Sequence, residues 1–269
     1  MIKEHAELVR SYNKNIHNIE KIVKNIDRMR KNAIKKEMFA TAEEIFEVEG
    51  KKEFEETEST KKIDPKIYRL SCGDVYTGEI KDNKLSGRGY YEFASDIEDG
   101  VMSYYIGEFK DNRKDGHGEF KFENGNVYIG EFKDDQVNGI GKMIYTNGEY
   151  VGNWEGGKKN GEGVYSWSDG YKYIGEFKGG KKDGFGVCYN SAGTIVYEGG
   201  WKDDQIHGMG KYDWGNGKMY EGEFLHGKKH GKGMFYLNGE VVFDGDWDCD
   251  KPYIFGKTLD EIFSALGDK

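Results

Sequence analysis

The sequence predicts a mostly β protein: an elongated antiparallel sheet of about eight short hairpin repeats, with a helical N-terminal extension and a short C-terminal capping helix. Three observations carry the sheet. An aromatic-x-Gly step returns every 22 to 29 residues from Tyr76 to Phe243. Within each repeat, glycines and large apolar side chains fall on alternate residues. Asn-Gly or Asp-Gly dipeptides punctuate the repeats, as at Asn124-Gly125, Asn147-Gly148, Asp169-Gly170, Asn216-Gly217 and Asn238-Gly239. The chain therefore divides into residues 1–66, a helical, coiled-coil-like extension ending in a charged linker; residues 67–256, the repeat array; and residues 257–269, the capping helix.

In the extension, Val9, Tyr12, Ile16, Ile19, Val23 and Ile26 follow one another at steps of 3, 4, 3, 4 and 3, the a/d spacing of a coiled coil. Two readings fit this stripe: self-association with another copy, or packing on the same chain. Charge is segregated here. Residues 1–36 hold ten Lys/Arg against four Asp/Glu, and residues 37–58 hold nine Glu against two Lys. The basic stretch suits an anionic surface or the acidic stretch beside it. A second helix is expected from Thr41, with Glu44 completing a capping box.

The repeats read as hairpins because their periodicity is two. Counting the leading aromatic as position 0, glycine stands at +2 in all eight repeats and a large apolar residue at +4. Gly-x-Gly follows at +11 and +13 in seven of them. Position +15 is Tyr91, Phe120, Met143, Tyr165, Cys188, Tyr212 or Phe235, and +17 is mostly aromatic. The glycines leave room for rings to lie across neighbouring strands. Extra residues in the first step form an acidic loop near 95–100. Residues 67–70 are expected to protect the first edge. At the other end, Thr258 with Glu261 starts the capping helix, whose apolar side is Leu259, Ile262, Phe263 and Leu266.

Composition excludes several classes. Glycine supplies 40 of 269 residues and proline two, which is not a collagen or a Pro-rich linker. Aromatics reach 14%, against Gly-rich disorder. A formal net charge of −9 argues against nucleic acid as a partner. Three cysteines without CxxC spacing offer neither a disulfide framework nor a zinc motif. No signal-peptide core or apolar run of membrane-spanning length stands out, so a cytoplasmic protein is expected.

The pattern Tyr105-Ile-Gly-Glu-Phe109 with Gly116-His-Gly118, and again Tyr220-Glu-Gly-Glu-Phe224 with Gly231-Lys-Gly233, resembles the MORN (membrane occupation and recognition nexus) repeat. The resemblance covers roughly two thirds of the chain. It implies a curved antiparallel sheet with a groove, used for protein–protein contacts, often near membranes or the cytoskeleton.

Chemistry-bearing motifs are few. GxxxxGK occurs at 152–158, 175–181 and 222–228, but lysine follows where a P-loop needs Ser or Thr. His226 and His230 lack a third ligand, so no metal is expected. The recurrent acids at +3 (Glu79, Glu108, Glu131, Glu176, Glu223) read as structural side chains on the outer side. No catalytic constellation or cofactor site stands out, and no enzyme activity is expected.

The expected function is a non-enzymatic scaffold whose aromatic groove binds partner proteins, one of them an amphipathic helix, at membrane or cytoskeletal structures. The groove residues are Tyr105, Phe109, Tyr128, Phe132, Tyr150, Trp154, Tyr173, Phe177, Trp201, Trp214, Tyr220 and Phe224. Two alternatives stay open. One is a peripheral phospholipid-binding protein using lysine pairs in hairpin turns: Lys158/Lys159, Lys181/Lys182 and Lys228/Lys229. The other is a regulatory subunit of an enzyme. A homo-oligomer through residues 9–26 is a further expectation.

Overall fold

Positive φ at two successive residues decides where each hairpin turns. The computed structural model describes residue 24, residues 67–94 and residues 102–253. These divide into two compact bodies, one ending at Gly157 and one beginning at Lys158. The expected N-terminal helices, including Val9, Tyr12, Ile16, Ile19, Val23 and Ile26, the acidic loop at 95–100 and the capping helix lie outside the described residues.

The first body holds β1 (Ile67–Arg69), β2 (Val75–Lys81), β3 (Lys84–Glu92), β4 (Tyr104–Lys110), β5 (Arg113–Lys121), β6 (Val127–Lys133), β7 (Gln136–Tyr145) and β8 (Gly148–Glu155). The second holds β9 (Lys158–Trp167), β10 (Lys172–Lys178), β11 (Lys181–Tyr189), β12 (Ile195–Lys202), β13 (Gln205–Asp213), β14 (Lys218–Leu225), β15 (Lys228–Leu237), β16 (Glu240–Asp248) and β17 (Lys251–Pro252). Within each body, consecutive strands pair antiparallel in a simple meander. β1 pairs with β2 through Tyr68 and Tyr76, adding a strand ahead of the first repeat.

The hairpin turns lie just before the lysine pairs expected to occupy them. Each repeat turns at +6 and +7, where both residues have positive φ: Asp111 and Asn112 at 49° and 70°, Asp203 and Asp204 at 48° and 69°. A two-residue turn of this hand matches the right-handed strand twist, and Asp, Asn and Gly tolerate it best. The Asn-Gly and Asp-Gly sites serve the links between repeats, as the sequence predicts. At Asn124-Gly125, the Gly125 N–H donates to the Phe122 carbonyl, and the loop closes through Phe122 N–H to the Asn126 carbonyl. The lysine pairs are correspondingly not in the turns. They open the returning strand, where Lys182 pairs with Phe177 and Lys181 with Lys178.

The core of each repeat is its leading tyrosine. Tyr105 pairs with Phe120 and Gly107 with Gly118, and the register then slips before Phe109. The Tyr105 ring lies over both glycines: a Cβ added at Gly118 would come within 2.5 Å of Tyr105 Cζ and Oη. The ring is therefore sunk to complete burial, and its hydroxyl donates to the Glu108 carbonyl at 3.0 Å. The same bond recurs from Tyr76, Tyr128, Tyr150, Tyr173, Tyr197 and Tyr220. Desolvation raises the phenols of Tyr76, Tyr105, Tyr128, Tyr150, Tyr197 and Tyr220, Tyr76 to about 12.

The rings also join repeat to repeat. Tyr105 meets Phe109 of its own repeat at 5.1 Å and 90°, and Phe132 of the next at 5.0 Å and 79°. Tyr173 stands in the same way between Phe177 and Trp201, and Tyr220 between Phe224 and Trp247. Edge-to-face pairs of this kind add about 0.5–1.5 kcal/mol each beyond burial. Where +4 is Trp, its indole N–H donates to the +13 glycine carbonyl of the preceding repeat, at 3.0 Å from Trp247 to Gly233. The turns interlock as well: Asp204 N–H donates to the Lys182 carbonyl while its carboxylate accepts the Lys182 N–H.

Candidate interaction face

Antiparallel pairing places positions 0, +2, +4, +9, +13 and +15 on one face. Of the twelve aromatic residues expected to line a groove there, the structure buries eleven. Tyr105, Tyr128, Tyr150, Tyr173 and Tyr220 are wholly buried, and Phe109, Phe132, Trp154, Phe177, Trp201 and Phe224 nearly so. Only Trp214 is well exposed, at 42%. The two glycines per repeat explain this, because they let the leading ring drop against the backbone. The outer layer of the face is supplied instead by positions +15 and +17, whose rings pair two residues apart along the chain: Phe120 with Phe122 at 4.4 Å, Tyr165 with Trp167 at 4.6 Å, Tyr212 with Trp214 at 4.6 Å.

A second component was hidden in the lysine pairs. Neighbouring residues of a strand point to opposite faces, so each pair splits. Lys158, Lys181 and Lys228 are exposed, and Lys181 is held by Asp203 at 3.1 Å. Lys159, Lys182 and Lys229 turn onto the aromatic face. Lys182 Nζ lies 4.2 Å from the Trp201 ring centroid and 5.5 Å from that of Trp167. Lys229 lies 5.3 Å from both Trp214 and Trp247 and 3.4 Å from Asp250. Lys159 lies over Tyr165 and Phe177, and burial lowers its pKa. Lys114, which the sequence reading passed over, does the same above Phe93 and Phe120 in the first body. Ammonium groups over ring faces are favourable by about 0.5–2 kcal/mol. The readable signal was the position itself: +9 is either Lys or an apolar residue such as Leu85, Val137 or Ile206.

The face is thinned in the second body. In the repeat that begins at Tyr173, Cys188 and Asn190 stand where most other repeats carry rings at +15 and +17, and neither position holds a large apolar side chain. Asn190 is folded back on its own loop, its side chain accepting the Ala192 and Thr194 N–H groups. The result is an open recess of about 370 Å³ in the second body, lined among others by Trp167, Tyr171, Cys188, Trp201, Ile206 and Tyr212. Burial pushes the Cys188 thiol up to about 11, so it stays neutral and acts as apolar surface.

The remaining sequence candidates have structural places. The +3 glutamates face outward but are not idle. Glu108, Glu131, Glu176 and Glu223 each accept the backbone N–H at +12, bridging the register slip: Glu176 takes Phe185 N–H at 3.0 Å. The GxxxxGK segments from Gly175 and Gly222 run strand, turn, strand, with no helix to receive a phosphate. His226 sits in a turn beside Gln205, and His230 faces Asp248. Among the described residues no group of three or more His, Cys, Asp or Glu is placed to hold a metal.

One short hairpin, copied with the same buried tyrosine and the same pair of glycines, defines a repeat protein whose stability comes from neighbour-to-neighbour contacts. The MORN repeat matches seven successive segments, residues 76–96, 105–127, 128–149, 150–170, 173–195, 197–219 and 220–240, more than half of the chain. The chain belongs to the MORN repeat family. The repeat from Phe243 lies beyond these segments, yet it keeps its first strand and its two-residue turn at Cys249 and Asp250. No curated protein matches the chain.

Proposed function

We propose that this MORN repeat protein is a non-enzymatic scaffold whose aromatic–lysine face in the second body receives an acidic segment of a partner protein. The observation that carries this reading is the recess at Cys188. It opens in the one repeat that has neither a ring nor a large apolar side chain at +15 and +17, its aromatic walls suit one large apolar side chain, and Lys182 stands at its Trp167–Trp201 side. Rigid aromatic walls concentrate binding energy at low entropic cost. Lysines on the same face select carboxylates around the anchor.

The test is fluorescence anisotropy of the full chain with labelled twelve-residue peptides of alternating Glu and Ser around a central Leu, Phe or Trp. Saturable binding that Cys188→Phe weakens at least tenfold supports the reading. Binding that the substitution leaves unchanged, or no binding by any peptide, overturns it. Exposure of Lys158, Lys181 and Lys228 favours a second reading, contact with anionic phospholipid. It requires co-sedimentation with phosphatidylserine vesicles that high salt reverses and that glutamines at those three positions abolish.

A further inference from the structure

The second body has another face, and its burial is uneven. Register places Val164, Ile174, Val187, Glu198, Lys211, Glu221, Met234 and Asp244 in one row across the strands, on the side opposite the leading tyrosines. A single sheet has nothing of its own to cover this side. Yet Val164 and Ile174 are only 9% exposed and Val187 only 1%. The rest of the row is half-buried or exposed. In the equivalent row of the first body Ile106 and Ile129 are half-buried, while Thr77, Lys142 and Val151 are buried. Lateral neighbours alone leave Ile106 and Ile129 partly open, so three adjacent buried apolar residues on β9 to β11 of an open sheet call for a cover. Glu162, beside them on the same face, points the same way: burial, with the Glu176 carboxylate opposite, raises its pKa.

The surroundings say what kind of cover fits. Glu162, Glu176 and Glu198 border the apolar trio, with Lys172 the one cation paired beside it. An apolar strip with a basic flank is required. Residues 9–26 have both: the stripe already described, and Arg10, Lys14, Lys21 and Lys24 against a single Glu20. Lys24, the one described residue of that segment, has helical backbone and an exposed side chain. Three adjacent strands span about 10 Å. One i, i+3, i+7 set of a helix rises about 10.5 Å, which Ile16, Ile19 and Val23 supply.

We propose that residues 9–26 of this chain dock on the face formed by Val164, Ile174 and Val187, with their basic residues toward Glu162, Glu176 and Glu198. The segment is then an intramolecular cover, and the aromatic–lysine face stays free for partners. Docking spends the stripe on its own sheet and removes it from coiled-coil pairing between copies.

The test uses the full chain at low micromolar concentration. Ile16→Cys, Ile19→Cys and Val23→Cys are each combined with Ile174→Cys and oxidised. An intrachain disulfide to position 174 in at least one pair is expected. Bridges only to Cys188 on the opposite face, only between chains, or none at all overturn the proposal. A second measurement guards against a poor bridge geometry. With Ile174→Cys alone, alkylation of that thiol in the folded chain is slow; adding Ile16→Glu and Ile19→Glu, which leave the sheet sequence intact, raises its rate at least tenfold. An unchanged rate shows that the strands bury the trio by themselves and overturns the proposal.

Discussion

Gly175→Ala is the sharpest probe of how a repeat is held. Gly175 has ordinary extended backbone, so the substitution carries no conformational penalty of its own. Its effect is steric. The new Cβ would stand 2.5 Å from Tyr173 Oη, 2.6 Å from Gly186 Cα and 2.6 Å from the Phe185 carbonyl oxygen. Two of these are backbone atoms of the paired strand and cannot rotate away. Relief requires β10 and β11 to part by nearly 1 Å, or the wholly buried Tyr173 ring to leave its seat. Overpacking of this kind costs about 1–3 kcal/mol. Displacing the ring also breaks its 3.1 Å hydrogen bond to Glu176, worth about 1 kcal/mol. The expected loss is therefore about 2–4 kcal/mol. Urea unfolding of the full chain, followed by tryptophan fluorescence, reads this as a fall in midpoint of about 1–2 M for an m-value near 2 kcal/mol/M. Gly193→Ala is the comparison: it has φ of 80° with nothing within 4 Å, so it carries backbone strain without a clash. Its cost is about 1–2 kcal/mol. A Gly175→Ala midpoint within 0.2 M or so of wild type, on that same m-value, refutes the packing argument.

Further outcomes follow from the same geometry. Tyr197→Phe removes the 2.8 Å hydrogen bond to the Gly200 carbonyl and should cost about 1 kcal/mol in the same urea experiment. The raised phenol pKa values make the fold alkali-sensitive. The folded state retains these protons above the ordinary phenol value near 10, whereas the unfolded chain releases them, so their stabilisation is complete below pH 10 and declines as pH climbs through the folded values, about 12 for Tyr76. Thermal midpoints between pH 8 and pH 11 should be flat and then fall; a rise above pH 10 contradicts the assignment. For the thiols, iodoacetamide at pH 8 followed by peptide mass mapping should modify exposed Cys72 and Cys249 well before Cys188.

The array was legible because its signals are local and repeated. Alternation placed positions 0, +2, +4, +13 and +15 on one face, and the registers of Tyr105 with Phe120 and Gly107 with Gly118 agree. What the alternation does not encode is depth. Tyr105 and Tyr173 look like groove residues in sequence, but flanking glycines lower them beneath the +15 and +17 rings. Asn-Gly marked the links between repeats correctly, but the lysine pairs were set in the hairpin turn, whose double positive φ belongs to the two residues before them, as at Asp203-Asp204. That placement hid the splitting of Lys181 from Lys182 onto opposite faces. The role of Glu176 was out of reach for another reason: its partner, Phe185 N–H, is exposed only by the register slip between Gly175 and Phe177. The recess was half visible, as a cysteine in an aromatic column, but its opening depends on Asn190 turning back on its loop.

The central claim is that a partner's apolar side chain enters the Cys188 recess. The most direct measurement replaces the central residue of the best-binding acidic peptide with a benzophenone amino acid, irradiates its complex with the full chain, and maps the crosslinked residues. Attachment is expected at the recess, on Trp167, Cys188, Trp201 or Tyr212. Attachment confined to the exposed lysine positions 158, 181 and 228, or scattered over the surface, would contradict it.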